Sequence, residues 1–578
     1  MKRQIGSMLI FMTVWHGCLA ADEIRPLGEM DGFYRYTAVL GPLLADGHRL
    51  CEIPQWMYKT DFPYMKRPYA REIPFTDGLT VVRLLGGWED RTLPNDRHND
   101  PNDLVFRDET GVLHYRWNLL KERLDPFVAN GYTKLTLVMD NVPWCLPGTP
   151  KQGNLGQVAP PDDYNEWYVF IRDMCRELKN FYGEETVNNF RFRMGTEMQD
   201  QRRFSGSLEE YLKYYDFAAK AVSEEIPGAG FGPFNRSMPM RADEKGNLPY
   251  DLVDILEVAK HCVTGTNYAT GKIGAPMDFM ARSFYYFSSQ PEPGVFANIH
   301  PDQRTPEIGD LWRKIRSSHP ALSGISREVQ ECGPHLSTED GLYGLDTGAR
   351  GAAQTLHTLI NFKEEGADRI WHWELFEDIA EDKTLMLSQG WLYSILDYMR
   401  GGEMYVLPVD VSGQHGNTHK ALISVQRDRA YLIVSCWNTD REKHATDNLR
   451  ISVPCAVMPA EPVKIRALCF TERNSVYDIL RGDLKSAALL SEKHLGHRGA
   501  PAAPAVTGGY HVMAADRNKG RDFINRNWPK YEQLMRDSLT LSDFSGTVSK
   551  TTGSVEVSFE AACPSVTALV FDLKRGME

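Results

Sequence analysis

Short apolar runs alternate with amphipathic segments from about residue 30 to residue 400 of the chain. The alternation predicts parallel strands joined by helices, because a parallel strand is reached through a crossover connection that is usually a helix. A less clear first strand lies between Phe33 and Leu44. With it, eight strand and helix units predict an α/β fold of the (β/α)8 TIM-barrel type. The distinct strand runs begin at Leu79, Tyr132, Asn189, Gly228, Asp278, Gly324 and Arg369.

The pattern changes after Gly402. Helical periodicity nearly vanishes there, and β-rich runs such as 420–426, 430–438, 554–561 and 565–573 dominate. Short strands without crossover helices predict an antiparallel β-sandwich. We therefore predict a signal peptide at residues 1–20, a catalytic barrel at 21–402 and a C-terminal β-sandwich accessory domain at 403–578.

The first twenty residues have the organisation of a secretory signal. A basic start, an apolar centre and a small-residue exit at Ala20 favour cleavage after that residue. The protein is then expected to be secreted or periplasmic. Lipid attachment at Cys18 is an alternative, but the preceding residues 14–17 are a poor lipobox. No other run is long and apolar enough to predict a membrane span.

Charge and cysteine spacing argue against several classes of partner. The 578-residue chain carries a formal net charge of -12 and no run of Lys and Arg, which argues against nucleic acid as a partner. Ten cysteines less Cys18 leave nine, and these form no CxxC pair and no Cys/His cluster. The sequence therefore predicts no metal site and no cofactor, and it leaves the oligomeric state open.

Two predicted strands end in a glutamate. In the run 189–199 the alternation places Arg191, Arg193 and Glu197 on one side of the strand, and Glu331 ends a second run more than a hundred residues later. Active sites of barrel enzymes lie at the carboxyl ends of the strands. Two carboxylates delivered there can flank a scissile bond, one as general acid and the other as nucleophile or base. The alternative for the first run is a half-exposed antiparallel strand whose arginines face water.

Other predicted strand ends carry aromatic, amide, basic and acidic side chains. Such a mixture suits a sugar, because an apolar ring face stacks on an aromatic ring while the hydroxyls need polar partners. The sequence therefore predicts a carbohydrate as the partner. The alternative for any single aromatic residue, and for His372, is a place in the ordinary core. The predicted substrate-binding residues are Arg83, Trp88, Asn141, Trp144, Tyr285, Trp371, His372 and Glu374.

At these positions the chain resembles glycoside hydrolase family 39, a clan A family of retaining glycosidases that includes β-xylosidases and α-iduronidases. The resemblance covers most of the mature chain, barrel and sandwich alike. It implies that Glu197 is the acid/base and that Glu331 is the nucleophile. The similar segments are VVRLLGGW (81–88, a second-strand Arg motif), MGTEMQ (194–199, acid/base), QECG (330–333, nucleophile), and residues 278–286, 371–378 and 564–573.

Two positions depart from the family pattern. Thr196 replaces the Asn that precedes the acid/base and that, in the clan, holds the 2-hydroxyl of the substrate. Ser283 replaces a His of the sixth strand. These departures concern the substrate more than the reaction, because a sugar that lacks or modifies that hydroxyl does not need the Asn.

A retaining mechanism requires two carboxyls about 5 Å apart. Glu197 then protonates the leaving oxygen while Glu331 attacks the anomeric carbon. Tyr285 is a candidate hydrogen-bond donor to Glu331, and Arg83 is a candidate ion-pair partner of the same carboxylate. Glu328 is the rival nucleophile, but Glu331 is favoured because it stands at the predicted strand tip, before a turn.

The sequence thus predicts a secreted retaining glycoside hydrolase that cleaves a plant or algal poly- or oligosaccharide. The alternatives are a non-catalytic carbohydrate-binding barrel and a metal-dependent hydrolase, for which no paired histidines stand at a strand end. The sugar, its linkage, and exo or endo action stay open. Arginines near strand ends hint at an anionic glycan, with salt bridges around the barrel rim as the alternative. They are Arg191, Arg193, Arg202, Arg203, Arg236 and Arg282.

Overall fold

The computed structural model of the protein describes most of the chain after residue 77, together with four short strands before it. The predicted signal peptide and Glu374 lie outside the described residues. The described residues are 25–29, 33–34, 36–43, 49–51, 78–88, 99–129, 132, 134–153, 156–237, 253–286, 289–292, 295–297, 300–337, 343–345, 348–372, 376–380, 383–412, 415–440, 443–460, 462–489 and 517–574.

The described part of the chain contains strands and helices in alternation up to Gly402, and mostly strands after it. The strands before Gly402 are β1 (Arg25–Glu29), β2 (Phe33–Tyr34), β3 (Tyr36–Leu43), β4 (Arg49–Cys51), β5 (Gly78–Val82), β6 (Val105–Arg107), β7 (Leu113–Tyr115), β8 (Lys134–Val138), β9 (Arg191–Thr196), β10 (Gly230–Asn235), β11 (Phe279–Tyr286), β12 (Ser289–Glu292), β13 (Val295–Ala297), β14 (Ser326–Ser337), β15 (Tyr343–Leu345), β16 (Arg369–His372), β17 (Phe376–Ala380) and β18 (Lys383–Met386). The later strands are β19 (Glu403–Leu407), β20 (Asp410–Ser412), β21 (Thr418–Val425), β22 (Arg429–Trp437), β23 (Thr446–Pro454), β24 (Pro462–Thr471), β25 (Ser542–Asp543), β26 (Thr547–Lys550), β27 (Ser554–Ala562) and β28 (Ser565–Leu573). The helices are α1 (Trp117–Val128), α2 (Tyr164–Tyr182), α3 (Glu184–Val187), α4 (Leu208–Glu225), α5 (Ile255–Thr264), α6 (Pro301–Arg304), α7 (Pro306–Ser318), α8 (Ala349–Glu364), α9 (Ser388–Tyr398), α10 (Val476–Ser486) and α11 (Arg517–Ser538).

Two parallel sheets follow from the alternating part of the chain. The first has the order β10-β9-β8-β5-β3-β4, in which β10 to β3 are parallel and β4 runs antiparallel to β3. The second has the order β11-β14-β16-β2 with parallel neighbours, and β15 pairs antiparallel with β14. A single residue separates β2 from β3, so the first strand region contributes to both sheets.

Backbone hydrogen bonds also join the edge of the first sheet to the edge of the second. The N–H of Asp278 donates to the carbonyl of Phe231 at 2.8 Å, and the N–H of Ser283 donates to the carbonyl of Arg236 at 3.0 Å. These bonds place β10 beside β11. The parallel strands therefore lie in chain order, as the alternation predicted.

The crossover helices begin and end where capping residues place them. In α2 the carboxylate of Asp163 accepts hydrogen bonds from two backbone N–H groups of the first turn, and Gly183 with φ 79° ends the helix. In α4 a capping box forms, because Ser207 and Glu210 each accept from the backbone N–H of the other. Local sequence thus fixes the ends of the helices that flank β9.

Two antiparallel sheets make up the C-terminal region. The larger has the order β1-β19-β21-β22-β28-β24-β25, and the smaller has the order β20-β23-β27-β26. They share one apolar core, as expected for sheets packed face to face. Fully buried members of this core from both sheets include Ile423, Leu432, Ile451, Val557 and Leu569.

Two helices in the C-terminal region differ from the nearly all-β prediction. α10 and α11 pack on the barrel side, where Leu480 and Tyr531 are buried in the main core. The indole N–H of Trp391 in α9 donates to the carbonyl of Ser538 at 2.8 Å and ties α11 to the barrel helices. Sequence reasoning missed α11 because Pro529, normally a helix breaker, lies inside it.

The strand β1 belongs to the larger sandwich sheet although it precedes the parallel strands. It pairs antiparallel with β19, from Arg25 opposite Val406 to Glu29 opposite Glu403. The described chain therefore enters the sandwich sheet before it forms the first parallel strand.

The strand β14 does not end at Glu331 as predicted but continues to Ser337. Two consecutive residues of β11 pair with Val329 and with Glu331, so Gln330 is the extra residue of a β-bulge. The bulge breaks the alternation of side chains along the strand. The side on which Glu331 lies therefore could not be inferred from its spacing in the sequence.

Candidate active site

Three parallel strands are each followed by a residue with a left-handed backbone conformation. Arg83 directly follows β5 with φ 60°, Asn141 follows β8 with φ 51°, and Glu197 directly follows β9 with φ 52°. Residues other than glycine rarely adopt this conformation, which costs on the order of 1–3 kcal/mol and is often found at functional sites. The strain at three adjacent strand ends marks this edge of the sheet as a candidate site.

A glycine permits the loops at this edge to approach one another. Gly87 has φ 62°, and a Cβ at this position would lie 2.5 Å from the carbonyl oxygen of Asn141. A side chain there would collide with backbone, which cannot move aside cheaply. The loop after β5 can therefore pack against the end of β8 only with glycine at this position.

Glu197 lies at the open end of β9. Its side chain is 17% exposed, and its Oε2 lies 3.7 Å from Nη2 of Arg203. The turn that follows is closed by a backbone hydrogen bond of 3.0 Å from the N–H of Asp200 to the carbonyl of Glu197. This turn brings Arg203 back to the glutamate, a pairing that the sequence analysis did not identify.

Glu331 is partly exposed and hydrogen-bonded to the neighbouring strand. The hydroxyl of Tyr285 in β11 donates to its Oε1, which is the contact that the sequence analysis expected. The two side chains are brought together by the parallel pairing of β11 with β14, in which Tyr285 stands opposite Gly333. The proposed pairing of Arg83 with Glu331 stays a prediction.

Glu328 has a different environment from Glu331. It is fully buried, and its Oε1 lies 2.6 Å from Nη2 of Arg191. Its Oε2 accepts from Nη1 of Arg191 at 2.7 Å and from Nε2 of Gln330 at 2.6 Å, while Ser326 donates to Oε1 at 2.6 Å. Both carboxylate oxygens are therefore occupied by internal donors, which favours a structural role for Glu328.

Arg193 lies at the centre of a buried polar network. Its guanidinium donates to the carbonyl of Gly195 at 3.0 Å, to Oε1 of Gln330 at 2.7 Å and to Oγ1 of Thr196 at 2.9 Å. Burial lowers the pKa of Arg193 to about 10, and nearby carboxylates, Glu331 and Glu197 among them, oppose that shift. The two candidate catalytic glutamates thus act on the same buried cation.

Thr196 connects this network to the end of β8. Its hydroxyl donates to Oδ2 of Asp140 at 2.8 Å, and Oδ1 of Asp140 accepts from the backbone N–H of Arg83 at 2.7 Å. The single hydroxyl proton of Thr196 is therefore used inside the protein. Residue 196 has no spare donor for a substrate hydroxyl.

Several predicted substrate contacts are buried. Trp88 and Trp144 are each 2% exposed. The indole N–H of Trp88 donates to the carbonyl of Arg83 at 2.9 Å, and that of Trp144 donates to the carbonyl of Trp88 at 3.0 Å. Trp371 and His372 are each 1% exposed. In this structure the indoles of Trp88 and Trp144 hold the loops at the strand ends together. Contacts of these two residues, and of Trp371 and His372, with a sugar stay predictions.

The amide of Asn141 also makes an internal contact, a hydrogen bond of 3.3 Å to the carbonyl of Gln157. Glu374 lies outside the described residues. Among the arginines near strand ends, Arg202 pairs with Asp200 at 2.5 Å, much as Arg191 pairs with Glu328. These contacts favour the salt-bridge interpretation of the arginines over recognition of an anionic glycan.

Gln330 is a site residue that sequence reasoning missed. It contacts Arg193, as Glu328 contacts Arg191, so two residues spaced by two in β14 meet two residues spaced by two in β9. The matching spacing of these pairs was a visible signal. The spacing could be interpreted as two contacts only with the knowledge that the side chains of β14 and those of β9 point toward each other.

Comparison with known sequences reveals a family match at this region. The family described as "Glycosyl hydrolases family 39" matches residues 98–360. A similar protein is an α-1,4-L-rhamnosidase of Formosa agariphila, 29% identical over 233 residues that cover 38% of this chain and 43% of that protein. The chain therefore aligns with less than half of the length of this curated relative.

Solved structures with the same fold cover nearly the whole chain. A monomeric β-xylosidase from Caulobacter crescentus CB15 has a TM-score of 0.60 at 14% identity and covers 95% of this chain and 98% of its own. The GH39 enzyme from Xanthomonas axonopodis pv. citri has a TM-score of 0.59 at 14% identity, with 93% and 97% covered. At these identities the likeness shows the fold alone, and it agrees with the parallel and antiparallel sheets of this chain.

None of the helices in the described part of the chain combines the length and the apolar content that a bilayer crossing requires.

Proposed function

We propose that this chain is a retaining glycosidase of glycoside hydrolase family 39, in which Glu197 is the acid/base and Glu331 is the nucleophile. The observation that carries the proposal is that these two glutamates are partly exposed near the buried Arg193, whereas the rival Glu328 is fully buried and paired with Arg191. The two glutamates come from separate parallel strands, and both are partly exposed. Double displacement needs two carboxyls that meet a substrate in this way.

The reaction follows from these positions. Glu331 attacks the anomeric carbon while Glu197 gives its proton to the leaving oxygen. Glu197 then takes a proton from water, and the water displaces Glu331 to release the sugar with its original configuration. The hydrogen bond from Tyr285 holds the carboxylate of Glu331 in one orientation for the attack. Arg203, close to Glu197, stabilises the carboxylate formed when Glu197 gives up its proton.

We also infer that the two parallel sheets close into one (β/α)8 barrel. The hydrogen bonds between β10 and β11 support closure at one seam. At the other seam, β2 pairs with β16. The strand β3, which is separated from β2 by a single residue, pairs with β5. An experimental structure that left either seam open would contradict closure.

For the substrate we propose a plant or algal poly- or oligosaccharide. The relatives are named as an α-1,4-L-rhamnosidase and a β-xylosidase, so L-rhamnosides and xylosides are the first sugars to try. The occupied hydroxyl of Thr196 supports a sugar whose 2-hydroxyl is not held by residue 196. α-L-Rhamnosides come first, because the relative that aligns over 233 residues is named as an α-1,4-L-rhamnosidase.

We propose further that residues 1–20 direct export of the protein. The basic start and the apolar centre of this segment support the proposal. N-terminal sequencing of the protein recovered from the periplasm or the medium of an expressing bacterium tests it. We expect a first residue of Ala21, and a protein that stays in the cytoplasm with its first twenty residues would contradict export.

The activity is tested with the mature protein and the variants Glu197→Ala and Glu331→Ala on a panel of rhamnosides, xylosides, uronides and sulfated glycans. Products are separated by chromatography, and the anomeric configuration of the first product is read by NMR. Glu209→Gln is the matched control, since this glutamate is 61% exposed on α4 and pairs only at the surface with Lys213.

We expect retention of configuration, a loss of about 10² to 10⁴-fold or more in both alanine variants, and wild-type activity in Glu209→Gln. Inverted product would exclude the retaining mechanism. Binding of one glycan without any product would favour the alternative, a non-catalytic carbohydrate-binding barrel. Activity that disappears with a chelator and returns with a metal would favour the metal-dependent hydrolase.

A further inference from the structure

Four potential metal ligands meet in the β-sandwich, away from the candidate active site. They are His419 of β21, Cys436 of β22, Asp447 of β23 and Cys563, which lies just before β28. The ligand atoms of the first three lie within 4.8 Å of one another. Cys563 is buried in the same apolar core as Cys436, and the two thiols lie close to each other. We call these four residues the sandwich cluster.

The sandwich cluster contains a buried carboxylate with an unused oxygen. Asp447 is 1% exposed, and its Oδ2 accepts from Nδ2 of Asn417 at 2.8 Å, with Nε2 of His419 at 3.2 Å. Its Oδ1 has no hydrogen-bond partner among the described residues, and Nε2 of His415 lies 4.0 Å from it. Burying an ionised carboxylate with an unpaired oxygen is costly, so a cation at this position would relieve a real deficit.

Among the described residues, the ion-pair contacts of this carboxylate come from two histidines, His415 and His419. Nε2 of His419 lies 3.2 Å from Oδ2 of Asp447, but it makes no hydrogen bond of good geometry in the described part of the chain. A buried acid, an imidazole and two thiols thus share one small volume.

We propose that His419, Cys436, Asp447 and Cys563 bind one Zn²⁺ ion. Imidazole nitrogen, thiolate sulfur and carboxylate oxygen are the donors that zinc takes in four-coordinate sites, and the thiolates disfavour Ca²⁺ and Mg²⁺. Bond lengths of about 2.0–2.3 Å put tetrahedral ligand atoms roughly 3.3–3.8 Å apart, so the cluster contracts by about 1 Å on binding. Each thiol releases its proton to water when its sulfur bonds to the ion.

The surroundings of the cluster suit a structural zinc. Asn417 donates to the carboxylate oxygen of Asp447 and orients it, as outer-shell groups commonly do for metal ligands. The side chain of His415 is 49% exposed and lies beside the buried carboxylate, which offers a route from solvent. The ion would join three strands and the segment before a fourth.

A second group of possible ligands is better explained without a metal. His300, Asp302 and His357 also bring their ligand atoms together. Oδ1 of Asp302, however, already accepts from His357 at 2.6 Å and from Nδ2 of Asn361 at 2.8 Å, and the Asp302 side chain is 49% exposed. Hydrogen bonds and exposure to solvent therefore satisfy this carboxylate, whereas Oδ1 of the buried Asp447 has no hydrogen-bond partner among the described residues.

The test uses the full mature chain, purified with a thiol reductant and without a chelator. Metal content is measured by plasma mass spectrometry in the wild type, Cys436→Ser and Asp447→Asn. Cys469→Ser is the matched control, since this cysteine belongs to the same domain but is exposed and stands outside the cluster. We expect about one zinc per chain in the wild type and in the control, and at least a tenfold lower content in the two cluster variants.

Two measurements on the wild type keep the proposal testable if the variants do not fold. Co²⁺ added to the zinc-free protein should give the absorption of a thiolate-bound tetrahedral cobalt, and zinc should protect Cys436 and Cys563, but not Cys469, from alkylation. Absence of zinc with no cobalt–thiolate band, or a Cys436–Cys563 disulfide in the reduced preparation, would overturn the proposal. Zinc retained fully by both folded cluster variants would overturn it as well.

Discussion

Arg191 and Glu328 form a buried ion pair in which two guanidinium nitrogens face two carboxylate oxygens at 2.6 and 2.7 Å. This geometry separates Glu328 from its neighbour three residues on, because Glu331 keeps contact with solvent. A carboxylate whose oxygens are held by internal donors is poorly placed to attack a sugar. The pair is therefore the physical reason for preferring Glu331 as nucleophile.

We expect Glu328→Gln to lose stability far more than activity. Removing one partner of a buried ion pair leaves an uncompensated charge and costs about 3–5 kcal/mol. Urea unfolding should show this loss, and the double variant Arg191→Met with Glu328→Leu should recover most of it. Turnover per folded molecule should stay within about tenfold of the wild type. A folded Glu328→Gln variant with no turnover, beside an active Glu331→Gln, would reverse the assignment.

Tyr285→Phe should slow the reaction without unfolding the protein. The variant removes the hydrogen bond to the carboxylate of Glu331, and a bond to a charged group contributes about 1.5–3 kcal/mol, which corresponds to a fall in kcat/KM of roughly 10 to 100-fold. Tyr164→Phe is the control, since its hydroxyl contacts the backbone carbonyl of Glu210 at 3.2 Å, away from the glutamates. Equal activity of both variants would remove Tyr285 from the mechanism.

Thr196→Val should destabilise the network that joins β8 to β9. The change keeps the shape of the side chain but leaves one acceptor of Asp140 and one donor of Arg193 without their partner. We expect a loss of about 1–3 kcal/mol in the free energy of unfolding, measured by urea denaturation. Thr196→Ser retains the hydroxyl and should be close to the wild type. A Thr196→Val variant as stable as Thr196→Ser would contradict the importance of this link.

The stability of the protein should fall as the pH falls below about 6.5, in part through two histidines. Burial lowers the pKa values of His300 and His357 in the folded protein. On acidification the unfolded chain therefore takes up protons at a higher pH than the folded protein does. Unfolding is favoured as the pH falls from about 6.5 toward the folded-state pKa values, and the folded protein is more stable at higher pH. Thermal denaturation from pH 5 to 7.5 should show this slope, and His357→Gln should flatten it. A slope unchanged by the substitution would assign the effect to other groups.

The sequence predicted the parts of the fold that depend on local pattern. The alternation of apolar and amphipathic segments corresponds to the observed order of parallel strands. The family resemblance is confirmed by the match over residues 98–360. The hydrogen bond between Tyr285 and Glu331 was foreseen because both residues fall near the ends of adjacent strands.

The parts that were missed depend on contacts between distant segments. The bulge at Gln330 and the continuation of β14 beyond Glu331 arise from its pairing with three neighbouring strands, while the residues Cys332-Gly333-Pro334 alone indicate a turn. The sandwich cluster shows no Cys/His spacing because separate elements deliver its members. The pairing of Arg203 with Glu197 likewise depends on a turn whose shape no periodicity encodes.

The position of β1 at the edge of the sandwich sheet has a consequence for how the protein is made. This strand is synthesised well before its partner β19, which begins only at Glu403, so its pairing must wait for the long segment between them. Contacts between such distant segments slow folding because a long loop must close before they form. A fragment that starts at Glu403 would also expose the edge of β19 that β1 covers, and such an open edge invites pairing between molecules.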